Sequence, residues 1–105
     1  MTTREIAGKT LEFDADGFLA NYEEWDKSIA TALAEEIGLA DLTDMHWQAI
    51  NFTRADFVER GEIPSLRRMK TVGGIPTKDL YKLFPKKPAK KVAYVAGMKK
   101  PSGCI

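Results

Sequence analysis

Residues 26–61, DKSIATALAEEIGLADLTDMHWQAINFTRADFVERG, decide the architecture. Across 26–38 the apolar residues Ile29, Leu33 and Ile37 recur at every fourth position, with Ala30 and Ala34 beside them. That spacing is the stripe of a helix packed on one side. Gly38 supplies the stop, because glycine enters the left-handed backbone that ends helices without a Cβ clash. Thr43 is a good N-cap for a second helix, and Asp44 places an acid at the positive end of the helix dipole. This helix is expected over 43–60, stopping at Gly61. Trp47, Ile50, Phe57 and Val58 lie along one face and Met45 and Phe52 on another, so it is expected to be the central helix, buried between neighbours.

Upstream, residues 3–13 (TREIAGKTLEF) predict a short hairpin: Ile6, Leu11 and Phe13 alternate in part, and Ala7-Gly8-Lys9 offers a turn. Asp14-Ala15-Asp16-Gly17 is a second turn, and Phe18, Leu19, Tyr22 and Trp25 form an aromatic-rich connection expected to fold onto the core. Downstream come three shorter, basic helices. The first, over 64–72, starts at Pro64 and buries Leu66, Met69 and Val72, with Arg67, Arg68 and Lys70 outside. The second, over 77–84, is capped by Thr77 and carries Leu80, Tyr81, Leu83 and Phe84 as its apolar residues before Pro85 ends it. The third, over 88–96, packs through Ala89, Val92, Ala93, Val95 and Ala96 and stops at Gly97. Residues 98–105, MKKPSGCI, have no helical pattern and predict a flexible C-terminal arm on which the core does not depend. The fold class is therefore mainly α: one small helical bundle with an N-terminal β-hairpin.

A chain of 105 residues suits one domain that can bury a core without disulfides. Its 44% hydrophobic content excludes a disordered chain, and no apolar run approaches the roughly 18–20 residues of a membrane span. The N-terminus lacks an apolar signal core, which points to the cytoplasm, and the expected state is a monomer. One cysteine and one histidine rule out a disulfide framework and argue against structural zinc; no metal or organic cofactor is expected. The net charge of +1 hides a polarity. Residues 1–60 hold 5 Lys/Arg and 13 Asp/Glu, a balance of −8, whereas residues 61–105 hold 11 and 2, a balance of +9. Either one face serves an anionic partner or the two halves neutralise each other.

Cys104 is the most informative residue. Structural cysteines are normally buried in core elements, whereas a thiol at the end of an arm can be carried into a partner's pocket. Gly103 removes bulk beside the sulfur, and Lys99 and Lys100 favour the thiolate, while the nearby Ile105 carboxylate opposes it. An incidental exposed thiol is the alternative. Four other features have a functional and a structural reading. Glu12, Asp14, Asp16, Gly17 and Glu23 fall at EF-hand loop positions, but a hairpin precedes them where a helix should, so a hairpin-end turn is preferred. Residues 64–84 could form a helix-turn-helix with basic surroundings suited to DNA, yet the second helix offers Lys78 and Lys82 and no Arg, Asn or Gln for base edges. His46, with no nucleophile or acid matched to it, is read as structural, and Lys86–Lys91 as a solvated face.

The C-terminal stretch 80–105, LYKLFPKKPAKKVAYVAGMKKPSGCI, resembles the DsrC/TusE family of sulfur-carrier proteins. The family pattern, LY-x-LFP-x-GPAK-x-A followed by AGLPKP and a penultimate Cys, is met at Leu80, Tyr81, Leu83, Phe84, Pro85, Pro88, Ala89, Lys90, Ala96, Gly97, Lys100, Pro101 and Cys104. Asp16 to Leu19, His46-Trp47, and Pro64 with Arg67 also resemble it. The resemblance implies a small helical protein whose arm bears sulfur on Cys104. It also implies supporting or partner-binding roles for Arg67, Lys90 and Lys100, to which the lack of bulk at Gly103 adds a supporting residue beside the sulfur. The implied partners are sulfur-donor and sulfur-acceptor proteins, such as a sulfite reductase or a TusBCD-like complex. Departures are equally clear. Ala93 stands where DsrC proper has its second cysteine, so no intramolecular disulfide can form. Lys87 and Lys99 replace the family's Gly and Pro, and the 73–78 linker has the short form of sulfate-reducer DsrC. The alternative from a different class is a regulator that binds DNA or a sulfur-metabolism protein through the basic helix-turn-helix segment.

Overall fold

The computed structural model describes residues 2–101. Strands β1 (Thr2–Ile6) and β2 (Lys9–Phe13) pair antiparallel with Thr2 opposite Phe13 and Ile6 opposite Lys9. The two-residue turn holds Ala7 and Gly8 at φ 52° and 80°, the left-handed pair that matches strand twist in tight hairpins. Five helices follow: α1 (Lys27–Glu36), α2 (Asp44–Arg60), α3 (Leu66–Thr71), α4 (Thr77–Leu83) and α5 (Pro88–Val95), with a 3-10 turn at Tyr22–Glu24. The mainly helical bundle with an N-terminal hairpin is the architecture expected from the periodicities.

Two adjacent stripes on α1 explain how hairpin and bundle join. Ile29 and Leu33 meet Ile6, Leu11, Phe13 and Leu19 in a small cluster under the hairpin. Ala30 and Ala34, one position on, face the main core with Ile50, Met69, Ile75, Leu80, Phe84, Val92 and Val95. Alanines on α1 and α5 let these helices lie close together. Asp26 caps α1 through the Ile29 amide and forms an ion pair with Lys9, which ties the helix to the hairpin and holds the Asp26 carboxyl below its ordinary range. Arg4, over the Phe13 ring at 4.6 Å, pairs with Glu36, and the Tyr94 hydroxyl donates to Glu36 at 2.7 Å, so hairpin, α1 and α5 share one polar clasp.

Several expectations are corrected. Helix α2 is not apolar on two buried sides: its buried stripe is His46, Ala49, Ile50, Thr53 and Asp56, while Val58 is 67% exposed and Met45 faces solvent. The stripe carries polar groups because each finds a partner. Thr53 Oγ1 donates to the Ala49 carbonyl at 2.8 Å, and Asp56 accepts from Arg68 and Arg60. Arg68, expected outside, is thereby turned inward onto α2, and Val72, expected inside, is exposed. Thr77 does not cap α4; Pro76 occupies that position with no side-chain bond, and the missed core residue is Ile75, fully buried in the link before it. The arm is not free from residue 98. Met98 is 1% exposed in the main core, its amide donating to the Ala93 carbonyl at 2.9 Å, and Pro101 is buried. No helix among the described residues is long and apolar enough to cross a membrane.

Candidate functional site

The end of α5 fixes where the chain goes next. Gly97 follows the helix at φ 71°, and a Cβ built there would lie 2.8 Å from Trp25 Cγ. Trp25 is held in turn, its Nε1–H donating to the Val95 carbonyl at 2.9 Å. Arg54, from α2, donates to the carbonyls of Ala96 (2.8 Å) and Tyr22 (3.0 Å) and lies 4.1 Å over the Trp25 ring. Its burial pushes the guanidinium pKa downward, which raises the worth of each carbonyl it contacts. Three residues absent from the sequence-based site, Trp25, Arg54 and Gly97, therefore set the direction of the arm. Trp25 was legible as an aromatic expected on the core and Gly97 as a helix stop, but neither signal revealed that the two pack against each other, and Arg54 gave none.

Beyond the turn, Met98 anchors in the core, Lys99 lies 5.6 Å from the centre of the Phe57 ring, and buried Pro101 forms one wall of a cleft of about 250 Å³. Its other walls are Ile63 to Arg67, before and at the start of α3, and Ala89 on α5. Ser65 caps α3 through the Arg68 amide, so the turn carrying Arg67 is fixed. The bidentate Arg68–Asp56 pair, with contacts of 2.7 to 3.0 Å, bolts α3 to α2 behind it. The Arg68 guanidinium holds the Asp56 carboxyl below the ordinary carboxylate range against the opposing effect of burial.

Of the sequence-predicted residues, exposed Arg67 lines this cleft together with Pro101, and half-buried Lys100 directly precedes Pro101 in the chain without lining the cleft. Lys90 is exposed on α5 and lines a different groove. Gly103 and Cys104 lie outside the described residues. His46 is structural in its contacts: Nδ1 accepts from the Thr43 amide at 3.0 Å in a capping box, leaving Nε2–H to donate to the Leu83 carbonyl at 2.9 Å. Asp14, weighed as a calcium ligand, spends Oδ1 on the amides of Asp16 and Phe18. Among the described residues no group of three His, Cys, Asp or Glu is placed to hold a metal ion.

Residues 5–105 match the family of DsrC-like proteins. The chain is 35% identical over 108 residues to the sulfurtransferase TusE of Yersinia pseudotuberculosis, covering 96% of this chain and 99% of that one. It is 33% identical over 98 residues to the gamma subunit of dissimilatory-type sulfite reductase from Nitratidesulfovibrio vulgaris, covering 93% of each. The crystal structure of the oxidized gamma subunit of dissimilatory sulfite reductase (DsrC) from Archaeoglobus fulgidus superposes with a TM-score of 0.78 at 38% identity, covering 99% of this chain and 100% of that one. Matched end to end in sequence and in fold, the chain belongs to the DsrC-like protein family.

Proposed function

We propose that this protein is a sulfur carrier in a sulfur relay, with Cys104 as the carrying residue. The observation that bears most weight is the family match running through residue 105, which includes the penultimate cysteine. In the first step the Cys104 thiolate attacks the outer sulfur of a donor persulfide. The donor's S–S bond breaks, its thiolate leaves, and Cys104 holds the sulfur as a persulfide. In the second step an acceptor thiolate attacks that outer sulfur and Cys104 leaves as thiolate. Each exchange is balanced without an added oxidant or reductant. The protein acts as a co-substrate between a donor and an acceptor, of the sulfurtransferase or sulfite reductase kind that its relatives' names describe.

The described part of the arm supports this reading. Chain direction is set by Trp25, Arg54 and Gly97, and Arg67 lines the same cleft as Pro101. We assign Arg67 and Lys100 to stabilising the persulfide anion or a partner carboxylate near Cys104, Lys90 to partner contact, and Gly103 to giving partner access to the sulfur. Ala93, fully buried on α5, supplies no second thiol, so the sulfur must leave to another molecule. Intact-mass measurement after incubation with a persulfide donor is the test. Wild type should gain steps of about 32 Da, the mass of one transferred sulfur. Cys104→Ser should gain none, and equal gain by the variant would sink the assignment.

A further inference from the structure

A second groove, of about 460 Å³, opens beside the first turn of α5. Its size falls within the range of about 300–1,000 Å³ typical of ligand pockets. Phe18, Ile37 and Tyr94 form its apolar floor, and Lys86, Lys87, Lys90 and Lys91 stand on its rim with one acid, Asp16. Lys91 is tied to the Pro85 carbonyl. Lys86, Lys87 and Lys90 are exposed and form no ion pair among the described residues. Lys86 and Lys87 sit at φ 60° and 47°, backbone that glycine enters freely and a residue with a Cβ does not. Two successive lysines held there put cations on the rim at the expense of local stability, a pattern found at binding sites.

We propose that this groove docks an acidic segment of a relay partner, one that carries an apolar side chain between its carboxylates. The inference rests on the sulfur-carrier reading for the identity of the partner. Charge complementarity argues for the carboxylates and the floor for the apolar anchor. A nucleic acid fits less well: Phe18 is 2% exposed, and Tyr94 meets it edge-on at 5.7 Å with its hydroxyl bound to Glu36, so neither ring is an open platform for a base. The position suits a relay. Ala89 and Pro101 line one cleft, and the residue after Ala89, Lys90, lines the lysine groove, so one helical turn is the wall between them. A partner seated on the lysines lies beside the path of the arm.

The test uses the full chain and a fluorescein-labelled acidic decapeptide, EDEFEDLEDE, followed by anisotropy. Binding should be about tenfold tighter than for the same peptide with serine at both apolar positions, and should weaken about tenfold when salt shortens the Debye length from about 30 to 8 Å. The double variant Lys86→Gly/Lys87→Gly should bind about fivefold more weakly, the order expected for two rim charges, yet unfold at a higher temperature. That combination separates lost binding from lost fold. Equal affinity for the serine peptide, undiminished binding by the double variant, or preference for a labelled oligothymidine would overturn the proposal. So would concentration-dependent dimerisation that the peptide does not reverse, since a second copy would then fill the groove. The two readings fail separately: no persulfide on wild-type Cys104 removes the carrier, and no peptide binding removes the groove.

Discussion

Gly97 carries two demands at once, a left-handed backbone at φ 71° and room for Trp25. Gly97→Ala should therefore destabilise by about 2–4 kcal/mol, from the conformational penalty plus overpacking against the indole. Thermal or denaturant unfolding measures this, and a loss under 1 kcal/mol would show that the indole moves aside. Lys87 predicts the opposite sign. At φ 47° and ψ 59° it occupies the position where the family pattern has glycine, so Lys87→Gly should stabilise by about 1 kcal/mol, read as a rise in the unfolding midpoint. From the sequence, both positions were visible as departures or matches in a motif. Their φ values were not, because a backbone angle is settled by what the two flanking elements must reach.

At the scale of elements, the α2–α3 junction shows how a buried carboxylate holds a short helix. Asp56 is 4% exposed between Arg68 and Arg60, and α3 spans six residues, too few to persist alone. Asp56→Ala should cost about 2–3 kcal/mol and loosen the turn that carries Arg67. The pH dependence follows from the direction of the shift. The folded carboxyl lies below its unfolded value, so the stabilisation is fully present above the ordinary carboxylate pKa of about 4 and is lost as pH falls through the folded value. Wild type should lose more stability than Asp56→Asn between neutral pH and pH about 3, and parallel losses would mean that another carboxylate controls acid unfolding. The arm makes a related point. Met98→Ala should cost about 2–4 kcal/mol as a core truncation, so deleting the chain from residue 98 costs more than an unstructured tail would. A fully cooperative, undiminished transition in the deletion would overturn this.

For the whole molecule, the charge polarity is resolved only in part by folding. Among the described residues the ion pairs that join the acidic and basic halves are Arg68–Asp56 and Arg60–Glu62. Arg4–Glu36 and Lys9–Asp26 stay within the acidic half, and the rim lysines Lys86, Lys87 and Lys90 remain in solvent. Of the two readings the composition allowed, mutual neutralisation accounts for only part of the basic surplus among the described residues. A single cysteine sets the redox behaviour of the whole chain. Mild oxidation of wild type should yield a disulfide-linked dimer on a non-reducing gel and Cys104→Ser none; a monomer lighter by two hydrogens would contradict a one-thiol chain.

What the sequence determined by itself was whatever short-range repetition encodes. The fourfold spacing of Ile29, Leu33 and Ile37, the Thr43 and Gly61 boundaries of α2, the alternation in β2 and the terminal motif around Cys104 are each local, so they were legible residue by residue. Tertiary structure alone decided which face of α2 is buried, that Arg68 turns inward while Val72 turns out, that Met98 and Pro101 belong to the packed body, and that Arg67 and Pro101 line one cleft. Such choices turn on what another element brings, as the inward turn of Arg68 depends on Asp56, 12 residues away on α2. A buried polar or charged side chain is stable only where such a partner is waiting, and no periodicity in one segment reports what another segment will bring to it.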